Sequence, residues 1–233
     1  MGKRIIQQAR GKGSSRYRSK KRSFRIGLQY PDLGKTGSAE VLKLINITGY
    51  SAPIAKIMFN GKVYYNIAAQ NLQEGQKIII GQGTEGGNIV QLKDLPIGTM
   101  VFNIESFPGS NGKLVRTSGI AARIIKKDKN LITVLMPSKR EKKMNPKIRV
   151  TVGTIAGAGR REKPFVKAGS RYHKMRSVGA RVYPRSSAVK MNATDHPFGS
   201  GRGKRIKSKI AKRNAPPGAK VGHLRPRKTG KKK

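Results

Sequence analysis

The sequence predicts a mainly β protein in which two small barrels stand in tandem between two long basic extensions. Two observations lead to this fold class. Short runs of valine, isoleucine and leucine separated by turn residues fill the middle of the chain, and lysine and arginine are concentrated at both ends. A chain of 233 residues is long enough for one or two small domains.

Charge gives the strongest indication of the partner. The chain holds 52 lysines and arginines against 10 acidic residues, a formal net charge of +42. Residues 1–31 contain 10 basic and no acidic residues, residues 32–162 contain 20 and 9, and residues 163–233 contain 22 and one, Asp195. Self-repulsion on this scale requires a polyanionic partner. Basic arms around a more balanced centre predict that the polyanion is a nucleic acid. The arms would thread between its phosphates.

Several other classes of protein are disfavoured. The chain has no cysteine, which excludes disulfides, thiolate zinc sites and thiol nucleophiles. We expect no membrane partner, because the sequence shows no apolar anchor and the N-terminus lacks a signal-peptide pattern, so the sequence predicts an intracellular protein. His173, His196 and His223 are too widely spaced for a metal site, and we expect no cofactor other than structural magnesium bridging to RNA.

The centre of the chain carries the β signal. Asn60-Gly61 separates two apolar runs and predicts a type I′ hairpin. Ten runs are expected to be strands: residues 41–47, 54–59, 62–67, 77–80, 88–92, 99–105, 113–118, 121–126, 131–136 and 148–152.

Ten short strands are too many for one five-stranded barrel and fit two barrels. The glycine-rich residues 81–87 are the natural junction, with an OB-like barrel before them and an SH3-like barrel after them. Both extensions have too few apolar side chains for a core, and on its own the first arm, residues 2–30, is expected to be disordered. The second extension is expected to contain one or two short helices. The predicted domains are a basic N-terminal extension (1–34), an OB-fold domain (35–82), an SH3-like barrel (83–162) and a basic C-terminal extension (163–233).

Two motifs resemble catalytic sites only superficially. Gly199-Ser200-Gly201-Arg202-Gly203-Lys204 lacks the first glycine and the final hydroxyl of a P-loop. Asp195 and His196 are adjacent in sequence, so their side chains do not readily form an oriented pair, and no nucleophile accompanies them. We interpret Asp195 as a partner for a cation or a turn, and His196 as a residue that stacks on a base or bonds a phosphate or sugar. We therefore expect no catalytic residues and no enzyme.

Basic residues interleaved with aromatics supply charge for phosphates and flat faces for exposed bases. The predicted RNA-binding residues are drawn from four such clusters and from basic or polar motifs around them: Arg16, Tyr17, Arg18, Arg22, Phe24, Arg25, Arg160, Arg161, Lys167, Arg171, Tyr172, His173, Lys174, Arg181, Tyr183, Arg185, Asn192, His196, Arg202, Lys204, Arg213 and Lys228.

Motifs along most of the chain resemble one known family, the universal large-subunit ribosomal protein conventionally numbered two, in its archaeal and eukaryotic form. The resemblance rests on the following motifs: Ser51-Ala52-Pro53-Ile54-Ala55, Ile104-Glu105-Ser106, Pro108-Gly109, Gly112-Lys113, Arg116-Thr117-Ser118-Gly119, Val152-Gly153 to Gly159-Arg160, Lys163-Pro164-Phe165-Val166-Lys167-Ala168-Gly169, Tyr172-His173-Lys174, Met191-Asn192-Ala193-Thr194-Asp195-His196-Pro197-Phe198-Gly199, Arg213-Asn214-Ala215-Pro216-Pro217-Gly218 and Lys228-Thr229-Gly230.

This resemblance implies an OB-fold followed by an SH3-like barrel, with both termini penetrating large-subunit ribosomal RNA. It also implies a cytoplasmic, non-enzymatic scaffold near the peptidyl-transferase region that supports subunit association, tRNA binding and translation. The partners would be ribosomal RNA, other ribosomal proteins and the small subunit across the intersubunit face, without homo-oligomers. The family's histidine in the Asp-His-Pro motif, proposed to influence peptide-bond formation, falls on His196.

The chain departs from the family pattern on both sides of His196. A Trp-Pro segment leading to Arg-Gly-Val-Ala-Met-Asn is usual where residues 183–192 read Tyr-Pro-Arg-Ser-Ser-Ala-Val-Lys-Met-Asn, and Gly-Gly-Gly is usual where residues 199–201 read Gly-Ser-Gly. RNA contacts there are expected to differ from the family norm.

Two rival functions stay open. A free RNA-folding or DNA-compacting protein would share the charge but would not need these motifs. An enzyme acting on RNA would need paired carboxylates or a metal cluster, which the sequence lacks.

Overall fold

The computed structural model describes residues 3–18, 25–32, 34–128, 130–160, 162–177, 182–201, 210–211 and 213–223. The chain divides into two compact units. Residues 21–168 contain all ten strands, and residues 1–20 with 169–233 form the other unit. The predicted mainly β class is confirmed.

The first four strands are β1 (Gly37–Ile45), β2 (Ile54–Phe59), β3 (Lys62–Ile67) and β4 (Lys77–Ile80). β1 pairs antiparallel with both β2 and β4, and β2 pairs with β3. The β2–β3 hairpin is confirmed, because Asn60 and Gly61 join the strands with φ values of 48° and 73°. Positive φ at both central residues is the requirement of a type I′ turn, which matches the twist of the strands.

The remaining strands are β5 (Ile89–Gln91), β6 (Met100–Phe102), β7 (Ala122–Lys127), β8 (Ile132–Leu135), β9 (Glu141–Met144) and β10 (Arg149–Val152). A 3-10 turn, Leu92–Asp94, follows β5. All ten strands are hydrogen-bonded in the order β3-β2-β1-β4-β5-β10-β6-β7-β8-β9. β4 and β5 meet through a single parallel pair, Ile80 with Ile89, and the glycine-rich residues 81–87 connect them.

Apolar side chains from the strands and from the segments between them form the two core clusters of this unit. One cluster centres on Val41, Ile57 and Phe59, and the other on Phe102 and Ile148. All five of these side chains are at least 98% buried. Burial on this scale is the main favourable contribution to folding.

A buried ionic and polar network accompanies the apolar core. Glu105 is fully buried, and its Oε1 accepts hydrogen bonds from Nη2 and Nε of Arg149 at 2.8 and 3.2 Å. The same arginine donates to the carbonyl of Pro31, and its guanidinium lies 5.2 Å from the ring centroid of Tyr30. The Tyr30 hydroxyl donates to the carbonyl of Asn103 at 2.6 Å and lies 2.9 Å from Oγ1 of Thr151. The network therefore attaches residues 30–31 to the strands.

Helical structure is short. In the unit formed by the chain ends, α1 spans Ile6–Gly11 and a 3-10 turn spans Ala188–Lys190. α2 spans Ala168–Ser177, at the boundary of the two units. The prediction of one or two short helices in the second extension is confirmed by α2 and the 3-10 turn.

One predicted strand was wrong, and two features of the strand unit were not predicted. Residues 113–118 do not form a strand: Leu114 makes one isolated bridge to Ile104, and Val115 has a φ of 53°, which is incompatible with an extended strand. β9 was not predicted, because its residues Glu-Lys-Lys-Met are mostly charged. The first arm also contributes to the core, since Leu28 and Tyr30 are 93% and 97% buried.

Candidate nucleic-acid interface

The unit formed by the two chain ends is the more strongly charged of the two. It contains 27 of the 52 lysines and arginines and a single acidic residue, Asp195. With ten acidic residues in the whole chain, at least 42 basic residues have no intramolecular counter-charge of their own. The protein therefore carries a surface that only an external polyanion can neutralise.

α2 presents four of the predicted RNA-binding residues on a helix with no buried residue. Tyr172 and His173 lie edge to face, with ring centroids 5.5 Å apart. Arg176 donates to the Tyr172 hydroxyl at 2.9 Å and lies 5.5 Å from the centroid of its ring. Lys174 and Arg176 occupy the last turn, where cations complement the helix dipole. This helix has no apolar face to pack on protein, and it displays planar rings together with cations.

Residues 182–185 bring a second aromatic-basic cluster to the same unit. The guanidinium of Arg171 lies 5.9 Å from the ring centroid of Tyr183. Arg185 donates through Nε to the carbonyl of Val182 at 3.1 Å and is exposed. The structure thus brings Tyr183 to the first turn of α2, a juxtaposition that sequence spacing did not predict.

His196 lies in a tight turn that follows Asn192. The carbonyl of Asn192 accepts hydrogen bonds from the backbone N–H groups of Asp195 at 3.0 Å and His196 at 3.2 Å. Nδ1 of His196 accepts the backbone N–H of Phe198 at 3.1 Å, and the two rings lie 5.3 Å apart. Gly199 is required here, because a Cβ atom at that position would collide with the Asn192 carbonyl group.

Asp195 pairs with a cation, as the sequence predicted. Its Oδ1 lies 3.3 Å from Nζ of Lys3, and the backbone N–H of Lys3 donates to the carbonyl of Thr194 at 2.7 Å. These contacts join the beginning of the chain to the His196 turn, so Asp195 is used for this attachment and not for polarising His196.

A cleft of about 450 Å³ opens beside this attachment. Three chain segments within one unit supply its walls, and none of them is near another in sequence. The lining residues are Lys3, Arg4, Ile5, Gln8, Ala193, Thr194, His196, Pro197, Pro216, Pro217, Gly218 and Ala219.

The other predicted RNA-binding residues are spread over both units. In the unit of the chain ends, Arg16 and Arg18 are exposed around the half-buried Tyr17, and Arg213 is exposed. In the strand unit, Arg25, Arg160 and Lys167 are exposed, and Nη1 of Arg160 donates to the carbonyl of Ser51 at 3.0 Å. Seven predicted residues lie outside the described part of the chain: Arg22, Phe24, Arg161, Arg181, Arg202, Lys204 and Lys228.

The sequence-based reasoning did not identify Lys3, Arg4 or Gln8 as site residues. They lie about 190 residues from His196 in sequence, and no local motif indicates that the two segments meet. Only the tertiary structure could find them.

The described part of the chain shows neither a metal-binding cluster nor a membrane-spanning helix. Among the residues that the structure describes, no three His, Asp or Glu side chains come together as a metal site would require. Within the same residues, no helix is both long enough and apolar enough to cross a membrane.

Comparison with known proteins assigns the family. Residues 85–218 match the family model for the C-terminal domain of ribosomal proteins L2. The chain is 41% identical over 238 residues to large ribosomal subunit protein uL2 of Methanococcoides burtonii, with all of both chains covered. This chain belongs to the uL2 family of large-subunit ribosomal proteins.

Other archaeal uL2 proteins are similar over the same extent. Identity is 40% over 237 residues to uL2 of Archaeoglobus fulgidus, with 99% of each chain covered, and 42% over 241 residues to uL2 of Methanococcus maripaludis, with both chains fully covered. The chain is thus an archaeal-type uL2, a structural ribosomal protein and not an enzyme, as its sequence motifs indicated.

Proposed function

We propose that this uL2 protein binds large-subunit ribosomal RNA near the peptidyl-transferase region and supports subunit association, tRNA binding and translation. The main support for the proposal is the charge of the unit formed by residues 1–20 and 169–233. This unit contains 27 basic residues and one acidic residue. Neutralising phosphates with such residues releases counterions, which provides much of the affinity of proteins for nucleic acid.

The aromatic-basic clusters supply the chemistry for contacts beyond charge. Tyr172, His173 and Tyr183 offer rings for stacking on unpaired bases, and the arginines beside them reach phosphate groups. α2 supports this role, because no side chain of the helix is buried in protein. Single-stranded or bulged RNA is the target that this arrangement fits best.

The strand unit serves as the rigid platform in this proposal. We assign residues 35–82 to an OB-fold and residues 83–162 to an SH3-like barrel, flanked by the extensions 1–34 and 163–233. The single parallel pair between β4 and β5 supports a division at that junction, because every other neighbouring pair in the sheet is antiparallel with at least two paired positions.

The partners in the assembled particle would be ribosomal RNA, neighbouring ribosomal proteins and, across the intersubunit face, the small subunit. The protein would be located in cytoplasmic ribosomes.

Salt-dependent binding to large-subunit RNA tests the proposal. In the variant Arg171→Gln/Lys174→Gln, α2 loses two charges, and the slope of log affinity against log salt should fall by about 0.7 to 0.9 per lost phosphate contact. The control Lys142→Gln/Lys143→Gln removes two exposed charges from β9 and should leave the slope nearly unchanged.

The outcomes separate the candidate functions. Preferential binding of large-subunit RNA over an unrelated duplex as salt rises would support the ribosomal role. Equal losses for both variants without RNA preference would favour a nonspecific nucleic-acid compactor. Sedimentation of the tagged protein away from large subunits would contradict the proposal outright. A His196→Ala variant that assembles into subunits but translates poorly would support a role near the peptidyl-transferase region.

A further inference from the structure

The lining of the cleft beside His196 combines cations and hydrogen-bond donors with prolines and alanines. We propose that it holds a single nucleotide turned out of the RNA strand, with its phosphate toward Lys3 and Arg4. This inference rests on the proposed function and assigns to it a specific pocket.

The hydrogen bond at Nδ1 fixes the chemistry of His196. A nitrogen that accepts the Phe198 N–H carries a lone pair and no proton, so in the neutral imidazole the proton resides on Nε2. The free end of the ring, Nε2, is therefore a hydrogen-bond donor. It suits a phosphate, ribose or base oxygen and is unsuited to remove a proton from a substrate.

Gln8 adds a second oriented donor. Its Oε1 accepts the backbone N–H of Ile5 at 3.1 Å, so the amide NH₂ group points away from that contact. Gly218 brings the backbone against this amide: a Cβ atom there would lie 2.8 Å from Nε2 of Gln8. Together with Lys3 and Arg4, these donors favour a ligand rich in acceptors.

Charge and shape define the ligand further. Lys3 is 77% exposed despite its pair with Asp195, and Arg4 is exposed with no acidic partner among the described residues. The lining also includes Pro197, Pro216 and Pro217, whose apolar rings can pack against the face of a base. A volume of about 450 Å³ lies within the range of small-ligand pockets. A nucleotide combines an anion, several acceptors and a flat apolar face, and RNA bases are commonly recognised in this unstacked form.

The test uses the full-length protein bound to large-subunit RNA. The complex is crosslinked by short-wavelength ultraviolet light, which acts on all four bases, and the crosslinked peptides and nucleotides are identified by mass spectrometry. We expect crosslinks from residues 193–197 and 216–219 to one nucleotide. Filling the cleft with Ala193→Trp should lower that crosslink by about tenfold, while total RNA affinity changes less than about threefold, because many other phosphate contacts remain. Ala168→Trp is the control, an exposed alanine that does not line the cleft.

A second pair of variants tests the role of His196 without filling the cleft. The side-chain nitrogen of His196→Gln reaches about as far as Nε2 and can still donate, whereas that of His196→Asn is too short. We expect His196→Gln to retain the crosslink and His196→Asn to lose it by about fivefold or more, the effect of one lost hydrogen bond to a charged group.

Three results would overturn the proposal. They are RNA binding without a crosslink from the cleft segments, a crosslink unaffected by Ala193→Trp, or equal behaviour of the glutamine and asparagine variants. If the wild-type protein did not bind large-subunit RNA at all, that result would contradict the proposed function and this inference with it.

Discussion

Replacing Glu105 with glutamine should destabilise the strand unit far more than its modest chemical change suggests. The carboxylate is fully buried, and its two oxygens accept three hydrogen bonds from Arg149. Glutamine keeps the shape but leaves the guanidinium, whose side chain is 10% exposed, as a buried charge without a counter-ion. Removing one partner of such a buried ion pair lowers the free energy of unfolding by about 3–5 kcal/mol. For a chain of this size, that loss corresponds to a fall in Tm of roughly 6–20 °C.

Urea unfolding followed by circular dichroism measures this loss. The exposed pair Lys126–Asp128, with atoms 3.2 Å apart, provides the control, because Asp128→Asn at such a surface pair should have no measurable effect. A double variant, Glu105→Leu/Arg149→Met, should recover much of the stability, since the buried charge is then absent. An effect of Glu105→Gln smaller than about 1 kcal/mol would refute the reasoning that burial makes this pair costly to break.

Three further predictions concern single sites. Burial raises the pKa of Tyr30 above its usual range, so the folded state keeps a proton that the unfolded state releases above about pH 10. Urea unfolding should therefore show stability falling as pH rises past 10, and Tyr30→Phe should make that slope shallower. Gly61→Ala should cost about 1–2 kcal/mol in the same assay, because a non-glycine residue must adopt a φ of 73°, whereas Gly86→Ala, at an ordinary φ with open space around its Cβ, should cost less. Gly199→Ala should disrupt the turn that holds His196, because the added Cβ atom would collide with the Asn192 carbonyl. The ring ¹⁵N resonances of His196 should then lose the pattern of a ring protonated at Nε2, which the hydrogen bond from Phe198 to Nδ1 maintains. An unchanged His196 spectrum would contradict that contact.

The sequence predicted those strands whose signals are local. The β2–β3 hairpin followed from Asn60-Gly61 and the apolar runs on either side of it, because turn geometry and strand register are both set within a few residues. β4 was predicted with its observed bounds, Lys77–Ile80, because its apolar run lies between Gly75 and Gly81. β9 escaped prediction because an edge strand is stabilised by its neighbour's backbone and tolerates charged side chains.

Long-range contacts explain what the sequence could not predict. Val115 reads as a strand residue, yet its backbone is turned to a φ of 53° between Asn111-Gly112 and the turn at Ser118-Gly119. Tyr30 reads as part of a basic arm, but its hydroxyl partners are Asn103 and Thr151, more than 70 residues away. The candidate site follows the same rule: its residue types were evident, whereas the cleft depends on the meeting of three distant segments.

The attachment of residues 26–31 to the strand unit changes how the first extension can act. Ile26 accepts a hydrogen bond from the Tyr50 hydroxyl, Gln29 donates to the Tyr65 carbonyl, and Tyr30 and Pro31 join the buried network. The basic residues before Ile26 are thereby linked through the chain to the strand unit. Once the strand unit has docked on RNA, the chain before Ile26 is held close to the same RNA, so its phosphate contacts form at a raised effective concentration. Each later contact is then an intramolecular event, so the complex should dissociate slowly even though every single phosphate contact is weak.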